Sequence, residues 1–194
     1  MRVAVDIDGT LSKTFEKYGE ELAKRGFDVS GGPAEEFVRW ETSMLYPKIP
    51  IEQVLAMYAD NWASMRSSYE LYPGADVVLQ LVDYELCAVT NRRVFQEEEE
   101  GCLVTKQWLA SNNIPIKQVI HTSDKALVCA QEEFSVLIED SANNAVPVAQ
   151  TGTHVLLFDH VYNRHVEHPN ITRFTHWLEV PRLLARLAQS ANRG

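Results

Sequence analysis

The chain has 194 residues, of which 45% are hydrophobic and 23% are charged, and its formal net charge is −9. This size suits one sizeable core with room for a small appended domain. The acidic balance and the lack of a Lys/Arg cluster argue against a scaffold for long nucleic acid, which needs a basic surface. No stretch of the sequence approaches the roughly 20 apolar residues of a membrane span.

The three cysteines are Cys87, Cys102 and Cys129, an odd number with long spacings. This pattern is typical neither of a disulfide framework nor of a zinc site. Cys87 and Cys129 stand in apolar surroundings, so we expect buried thiols there. No basic and apolar leader of the secretory type precedes the first apolar run. We therefore expect a protein of the reducing cytoplasm.

The first part of the chain passes from one strand into a group of helices. Val3 to Ile7 is a short apolar run rich in β-branched residues, which predicts a buried strand. Apolar spacing then predicts helices over 15–25, 33–45 and 50–69, the second of which starts after Gly-Gly-Pro. Three helices with no strand between them predict a helical insert over residues 15–72.

From residue 73 onward, predicted strands and helices alternate. The strands cover 86–90, 119–121, 136–139, 155–158 and 171–174, and the helices cover 75–82, 97–111, 125–131, 142–150 and 178–191. This alternation is typical of an α/β protein with a doubly wound parallel sheet. We predict a Rossmann-like core formed by residues 1–14 and 73–194, with a small helical cap, residues 15–72, inserted after the first strand.

Polar side chains stand at the ends of four predicted strands, where ligands bind in folds of this kind. They are Asp6 and Asp8, then Thr90, Asn91 and Arg92, then Lys125, and then Glu139 and Asp140. Carboxylates as close as Asp6 and Asp8 repel unless a cation or a proton intervenes. One of them can attack phosphorus, and the other can protonate the leaving group and then activate water. A Mg²⁺ ion can bridge the nucleophile and the phosphate.

These motifs, in this order, resemble those of the haloacid dehalogenase-like (HAD) phosphatases. The run Asp6-Ile7-Asp8-Gly9-Thr10 is similar to their first motif, Thr90 to the second, Lys125 to the third and Glu139-Asp140 to the fourth. The stretches VTNRR, TSDK, LIEDSANNA and LLFDHVYNRHV further resemble the 5′(3′)-deoxyribonucleotidase-like family within that superfamily. The predicted insert lies between the first and second motifs, where one class of these enzymes carries its cap.

The resemblance implies a catalytic group of four residues. Asp6 would be the nucleophile that becomes an aspartyl phosphate, and Asp8 would be the general acid and then the base. Thr90 and Lys125 would contact the phosphoryl oxygens. Mg²⁺ would be held by Asp6, by the backbone carbonyl of Asp8, and by Asp140.

The same resemblance implies supporting residues around this group. Glu139 would orient the water ligands of the metal. Asn91, Arg92, Gly9 and Thr10 would bind the phosphorylated substrate.

Two assignments stay open in the sequence. Lys106, on a nearby predicted helix, is an alternative to Lys125 as the phosphate-binding lysine. In the predicted cap, four side chains are candidates for substrate contact, although most cap aromatics must serve packing. They are Phe15, Trp40, Met44 and Tyr46.

The loop near residue 160 contains several potential metal ligands. They are Asp159, His160, His165 and His168. Their irregular spacing and loop composition do not match a metal site, so we expect ordinary exposed side chains. Tyr162 in the same loop can brace it.

Together these patterns predict an enzyme, a Mg²⁺-dependent phosphomonoester hydrolase that works through an aspartyl phosphate. The best match is a 5′-nucleotidase acting on (deoxy)nucleoside monophosphates. We expect it to bind a small phosphorylated substrate, and we expect it to bind neither long nucleic acid nor a membrane. One alternative is the same chemistry on another metabolite, such as a sugar phosphate, or on a polynucleotide end. The other is a non-catalytic binding protein on the same fold, which the presence of Asp6, Asp8 and Asp140 disfavours.

Overall fold

Six parallel strands form one sheet in the described part of the chain. The structure is a computed structural model that describes residues 1–30, 46, 48–92 and 98–191. The strands are β1 (Arg2–Val5), β2 (Glu85–Thr90), β3 (Gln118–His121), β4 (Val136–Glu139), β5 (His154–Phe158) and β6 (Ile171–Phe174). Their order across the sheet is β3-β2-β1-β4-β5-β6, with every neighbouring pair parallel. This confirms the predicted α/β fold with a parallel sheet.

Helices connect the first five strands, and a further helix follows the last strand. They are α1 (Thr14–Lys24), α2 (Ile51–Ser67), α3 (Ala75–Leu81), α4 (Glu98–Ser111), α5 (Lys125–Gln131), α6 (Ala142–Gln150) and α7 (Val180–Ala191). The predicted helix over 33–45 lies outside the described residues, and so do Trp40 and Met44. Among the helices that are described, none combines the length and the apolar character that crossing a membrane requires.

Both faces of the sheet are buried. Val3 and Val5 of β1 belong to one hydrophobic cluster, whereas Ala4 between them belongs to another, as expected for side chains that alternate across a strand. Side chains of α3, α4 and α7 complete the first cluster, and side chains of α5 and α6 complete the second. Helices on both faces of a parallel sheet are what the doubly wound fold requires.

The helices of the predicted cap pack into the same hydrophobic cluster as the core helices. Helix α2 packs against both α1 and α4. Leu22 of α1 and Met57 of α2 belong to the same buried cluster as Trp108 of α4. The division of the chain into a core and a cap at residues 15–72 stays a prediction.

The direction of winding reverses beside β1. From β1 the chain builds outward to β2 and β3, and then returns to place β4 on the other side of β1. The carboxyl ends of β1 and β4 lie at this reversal, which is where sheets of this kind have the crevice that binds ligands. Strand β1 ends at Val5, two residues before the predicted end at Ile7, because the chain turns there.

Candidate active site

The turn after β1 carries the two aspartates of the first motif. The carbonyl of Ile7 accepts hydrogen bonds from the N–H groups of Leu11 and Ser12, each at 2.9 Å. Gly9 has a φ of +83°, and a Cβ at this position would lie 2.5 Å from Oδ2 of Asp140. Glycine suits both the left-handed backbone and the close approach. The turn can therefore lie directly against the residue that follows β4.

Three buried carboxylates meet at the ends of β1 and β4. Asp6, Glu139 and Asp140 each offer an oxygen, and these atoms lie within 4.8 Å of one another. Lys125 donates from Nζ to Oδ1 of Asp6 at 2.5 Å and to Oε2 of Glu139 at 2.7 Å. We call these three acids the carboxylate cluster. With Lys125 counted, its formal charges leave two negative charges uncompensated.

Burial makes ionisation of this cluster costly. Burial raises the pKa of Asp6 to about 7, against the opposing charge of Lys125. Burial and the charge of Asp6 raise the pKa of Asp140 to about 7, and burial also raises the pKa of Glu139. A divalent cation would compensate the excess negative charge, and carboxylate oxygens are ligands that Mg²⁺ prefers. The residues present therefore fit a divalent metal.

Three side chains hold Asp140 in place. Thr10 donates its hydroxyl to Oδ1 at 2.7 Å, and Tyr162 donates its hydroxyl to Oδ2 at 2.5 Å. The amide of Asn163 donates to the carbonyl of Asp140 at 2.7 Å. Thr10, which the motif resemblance assigns to the substrate, thus contacts a predicted metal ligand.

The expectation of exposed side chains in the loop near residue 160 is wrong for Asp159 and His168, which are partly buried, and for His160. His160 is partly buried, and its Nε2–H donates to the carbonyl of Gly9 at 2.8 Å. Its ring stacks on Tyr162 with 4.9 Å between ring centroids, and burial lowers the pKa of His160. The reason is topological, since β5 lies beside β4 and delivers the following loop to the turn after β1. No spacing rule for metal ligands indicates such a contact.

Asp8 lies in a different environment from Asp6. Arg92 donates from Nε to Oδ2 and from Nη2 to Oδ1 of Asp8, each at 2.6 Å, and Thr14 donates to Oδ1 at 2.8 Å. Burial disfavours the charged form, but the positive charges of Arg92 and Arg66 and these hydrogen bonds lower the pKa of Asp8 overall. We call Asp8, Arg66 and Arg92 the arginine cluster.

Thr90, at the end of β2, has a buried hydroxyl group. Thr90 is 1% exposed, and its hydroxyl has no hydrogen-bond partner among the described residues. Leaving a buried hydroxyl unpaired is costly, and a phosphoryl oxygen is an acceptor that would pair with it. Asn91 follows Thr90 in the chain and is half-buried.

Lys106 is exposed on α4, so the structure brings Lys125, not Lys106, to Asp6.

Two of the four candidates for substrate contact in the predicted cap are described, and both are buried. The ring of Phe15 meets that of Tyr162 edge to face at 5.7 Å. The hydroxyl of Tyr46 donates to the carbonyl of Phe15 at 3.1 Å. Phe15 therefore touches Tyr162, one of the residues that hold Asp140. Contact of Phe15 or Tyr46 with a substrate stays a prediction.

Sequence comparison identifies relatives over nearly the whole chain. Residues 1–190 match the family described as 5′ nucleotidase, deoxy (Pyrimidine), cytosolic type C protein. A nucleotidase of Clostridium acetobutylicum is 24% identical over 196 residues, which cover 98% of this chain and 97% of that protein. The match thus includes both the core and the predicted cap.

Solved structures share the fold at low sequence identity. A conserved haloacid dehalogenase-like protein of unknown function from Agrobacterium tumefaciens has a TM-score of 0.63 and 15% identity, covering 96% of this chain and 98% of that one. A magnesium-bound HAD-like protein from Bacillus subtilis has a TM-score of 0.58 and 14% identity, covering 95% and 98%. Taken with the family match, they establish that this chain is a HAD-superfamily phosphatase and belongs to the 5′ nucleotidase, deoxy (Pyrimidine), cytosolic type C family.

Proposed function

We propose that this enzyme is a Mg²⁺-dependent 5′-nucleotidase that hydrolyses (deoxy)nucleoside monophosphates through an aspartyl phosphate. The family match supports a nucleotide substrate. The observation that carries the mechanism is the 2.5 Å contact between Nζ of Lys125 and Oδ1 of Asp6 inside the carboxylate cluster. A lysine at this position contacts the nucleophilic carboxylate and is placed to donate to a phosphoryl oxygen that approaches it.

In the first step, Asp6 acts as the nucleophile. A bond forms between its carboxylate oxygen and phosphorus, and the bond from phosphorus to the nucleoside oxygen breaks. Lys125 and the hydroxyl of Thr90 donate to the phosphoryl oxygens, where negative charge accumulates. Asp8, whose pKa is lowered in the free enzyme, takes up a proton when the negatively charged phosphoryl group binds beside it, and it gives this proton to the departing nucleoside oxygen. The free hydrogen-bonding capacity of the buried Thr90 supports its role.

In the second step, Asp8 acts as the base. It takes a proton from a water molecule, whose oxygen forms a bond to phosphorus. The bond between phosphorus and Asp6 then breaks, and inorganic phosphate leaves. Asp8 has regained its proton and Asp6 its negative charge, so the enzyme returns to its starting state.

In this proposal, the side chains of Asp6 and Asp140 and the backbone carbonyl of Asp8 would hold Mg²⁺, and Glu139 would orient its water ligands. When bound, the metal supplies positive charge to the nucleophile and the phosphate. Thr10 and Tyr162 support this assignment by fixing both oxygens of Asp140. The uncompensated charge of the carboxylate cluster supports it too, and one relative of the same fold is magnesium-bound.

We also propose the remaining features of the binding site and the setting of the enzyme. Gly9, Thr10 and Asn91 border the phosphate position, and residues 15–72 form a cap over the core of residues 1–14 and 73–194. Arg92 directs its guanidinium at Asp8 rather than into open space. A reducing cytoplasm is consistent with the cysteines, all three of which are free thiols.

The decisive experiment measures phosphate release from a panel of nucleoside and deoxynucleoside monophosphates and sugar phosphates. The panel is run with Mg²⁺ and with a chelator, on the wild type and on Asp6→Asn. Asp60→Asn is the matched control, because Asp60 is an exposed aspartate of α2 that pairs with Arg25. We expect Mg²⁺-dependent release from nucleotides in the wild type and in the control, and none in Asp6→Asn.

The other outcomes identify the alternatives. A clear preference for sugar phosphates would keep the chemistry and replace the substrate. Release that is unchanged in Asp6→Asn would remove the aspartyl phosphate from the mechanism. Binding of Mg²⁺ and nucleotide by a folded protein without any release would indicate a non-catalytic binding protein.

A further inference from the structure

Arg92 is buried and held from several sides. Its side chain is 1% exposed, and its guanidinium lies 5.7 Å from the ring centroid of Tyr69 and 5.8 Å from that of Trp108. Its Nη1 lies 3.4 Å from the hydroxyl of Thr105. With Nε and Nη2 both bonded to Asp8, each of its three nitrogens has a partner within the protein.

The cap helix α2 also fixes the backbone of Arg92. Arg66 of α2 donates from Nη2 to the carbonyl of Arg92 at 3.2 Å and to the hydroxyl of Tyr58. Arg66 is itself buried, with its guanidinium 5.6 Å from the ring centroids of Tyr58 and Trp62. The position of Arg92 therefore depends on contacts from both sides of the core–cap junction.

The two carboxylate oxygens of Asp8 accept different numbers of hydrogen bonds. Oδ1 accepts two hydrogen bonds, from Nη2 of Arg92 and from the hydroxyl of Thr14. Oδ2 accepts one, from Nε of Arg92, among the described residues. Because a carboxylate oxygen has two lone pairs, Oδ1 is fully used and Oδ2 keeps one position. The Asp8 side chain is 29% exposed, whereas Arg92 is sealed behind it.

We infer that Arg92 is a positioning residue for Asp8 and does not contact the substrate. Its planar fork fixes the rotation of the carboxyl group, so that Oδ2 carries the proton that passes to the departing oxygen. This inference rests on the proposed phosphatase mechanism, in which Asp8 is the acid. It assigns Arg92 a different partner from the one that the sequence motif implies.

The geometry disfavours the alternative, in which Arg92 binds the phosphoryl group. To do so, its guanidinium would have to give up two charge-assisted hydrogen bonds of 2.6 Å and leave the rings of Tyr69 and Trp108. Asp8 would then keep its partner Thr14 but lose both arginine contacts. Bidentate pairs between arginine and a carboxylate are among the stronger hydrogen-bonded contacts in proteins.

The test compares two leaving groups in Arg92→Lys. Lysine keeps the positive charge but cannot form the planar fork. The substrates are a deoxynucleoside monophosphate, whose leaving oxygen needs a proton, and p-nitrophenyl phosphate, whose leaving group departs as a stable anion. The quantity measured is kcat/KM, because it reports the step in which the leaving group departs and is not limited by later hydrolysis of the aspartyl phosphate.

We expect kcat/KM for the nucleotide to fall by about 10²-fold, the typical cost of misplacing a catalytic group by roughly 1 Å. We expect little change with p-nitrophenyl phosphate. Thr14→Val, which removes the other donor to Oδ1, should show the same selective loss at smaller size. In an Asp8→Asn background, Arg92→Lys should cause no further loss with the nucleotide, because the two residues act through one carboxyl group.

Arg2→Lys is the matched control. Arg2 also pairs with two carboxylates, those of Glu85 and Glu132, but at the amino-terminal end of β1, away from the crevice. We expect it to leave both substrates unaffected. Thermal unfolding of each variant separates a loss of folded protein, which lowers both activities in proportion, from a change in the reaction.

Equal losses of kcat/KM with both substrates, in folded Arg92→Lys and Thr14→Val, would overturn the inference while leaving the proposed function intact. A rise in KM with kcat unchanged would also overturn it, because it would assign Arg92 to substrate binding. An additional loss in the Asp8→Asn background would also overturn it. If the wild type released no phosphate from any substrate, both the proposed function and the inference would fail.

Discussion

Asp6 and Asp8 are two residues apart in the chain, yet one lies among acids and the other against arginines. The carboxylate cluster has three acids for one lysine, whereas the arginine cluster has two arginines for one acid. The pKa of Asp6 is accordingly raised to about 7, and that of Asp8 is lowered. Neighbouring carboxylates of one motif therefore acquire separate chemistry from partners supplied by distant parts of the chain.

The same comparison indicates where each kind of ligand fits. The excess of negative charge in the carboxylate cluster suits a divalent cation, and the excess of positive charge in the arginine cluster leaves Asp8 fully compensated. A substitution in one cluster therefore leaves the direct contacts of the other cluster in place.

Lys125→Met should have the largest effect, because it removes the only cation that contacts the carboxylate cluster in the described residues. We expect kcat to fall by about 10²–10³-fold, the usual cost of losing one stabilising group in such a site. Lys106→Met, the same substitution at an exposed lysine of α4, should retain activity. Steady-state phosphate release measures both. The reverse result would make Lys106 the phosphate-binding lysine.

Tyr162→Phe should weaken metal binding, because it removes the hydroxyl that donates to Oδ2 of Asp140. Loss of a group that orients a metal ligand typically costs 10–100-fold in affinity, so we expect a change of about that size in the Kd for Mg²⁺. Titration calorimetry measures it without substrate. Tyr72→Phe is the control, because the hydroxyl of Tyr72 donates to exposed Glu16. Equal affinities in the two variants would contradict the prediction.

Mg²⁺ binding should weaken as the pH falls from 8 to 6. Asp6 and Asp140 have pKa values raised to about 7, so below that pH they hold protons that the metal must displace. The Kd should rise by up to about tenfold per pH unit for each proton displaced. Asp8 does not add to this dependence, because its pKa is lowered. Calorimetry at three pH values tests it, and a Kd that is constant over this range would contradict the assigned ligands.

Two glycines offer a matched test of the close approach between the turn after β1 and Asp140. Gly9 and Gly26 have nearly the same φ, +83° and +84°, but a Cβ at Gly26 would meet nothing within 4 Å. Gly26→Ala should lower the free energy of unfolding by about 1–2 kcal/mol, the cost of a left-handed alanine. Gly9→Ala should cost more, since its Cβ would overlap Asp140 and Phe15. Urea unfolding measures the difference, and equal losses would show that the turn relaxes freely.

Much of the fold follows from local patterns. The runs of β-branched residues predict six strands, and the helices between them predict a parallel sheet, as the structure confirms. Helix α6 forms despite Pro147 inside it, as predicted. The exception is the end of β1, where Ile7 is as apolar as the strand before it but is already part of the turn. Composition cannot mark that boundary, because the turn is buried as deeply as the strand.

In the candidate site, the identity of the residues can be predicted from the sequence, but their pairing cannot. The acids, the threonine and the lysine can be found from the sequence because each follows a strand, and strands of a parallel sheet end at one edge. Their pairing cannot be found in that way. Lys125 contacts Asp6 across 119 residues, Arg92 contacts Asp8 across 84, and His160 contacts Gly9 across 151.

The chemical groups of the crevice can therefore be identified from the chain alone, because local apolar runs set the strands and polar residues mark their ends. The tertiary fold sets the partner of each group. It placed Lys125 rather than Lys106 at Asp6, turned Arg92 toward Asp8, and brought His160 to the first turn. The physical reason is that charge pairing and burial depend on the order of strands across the sheet, which no local spacing encodes.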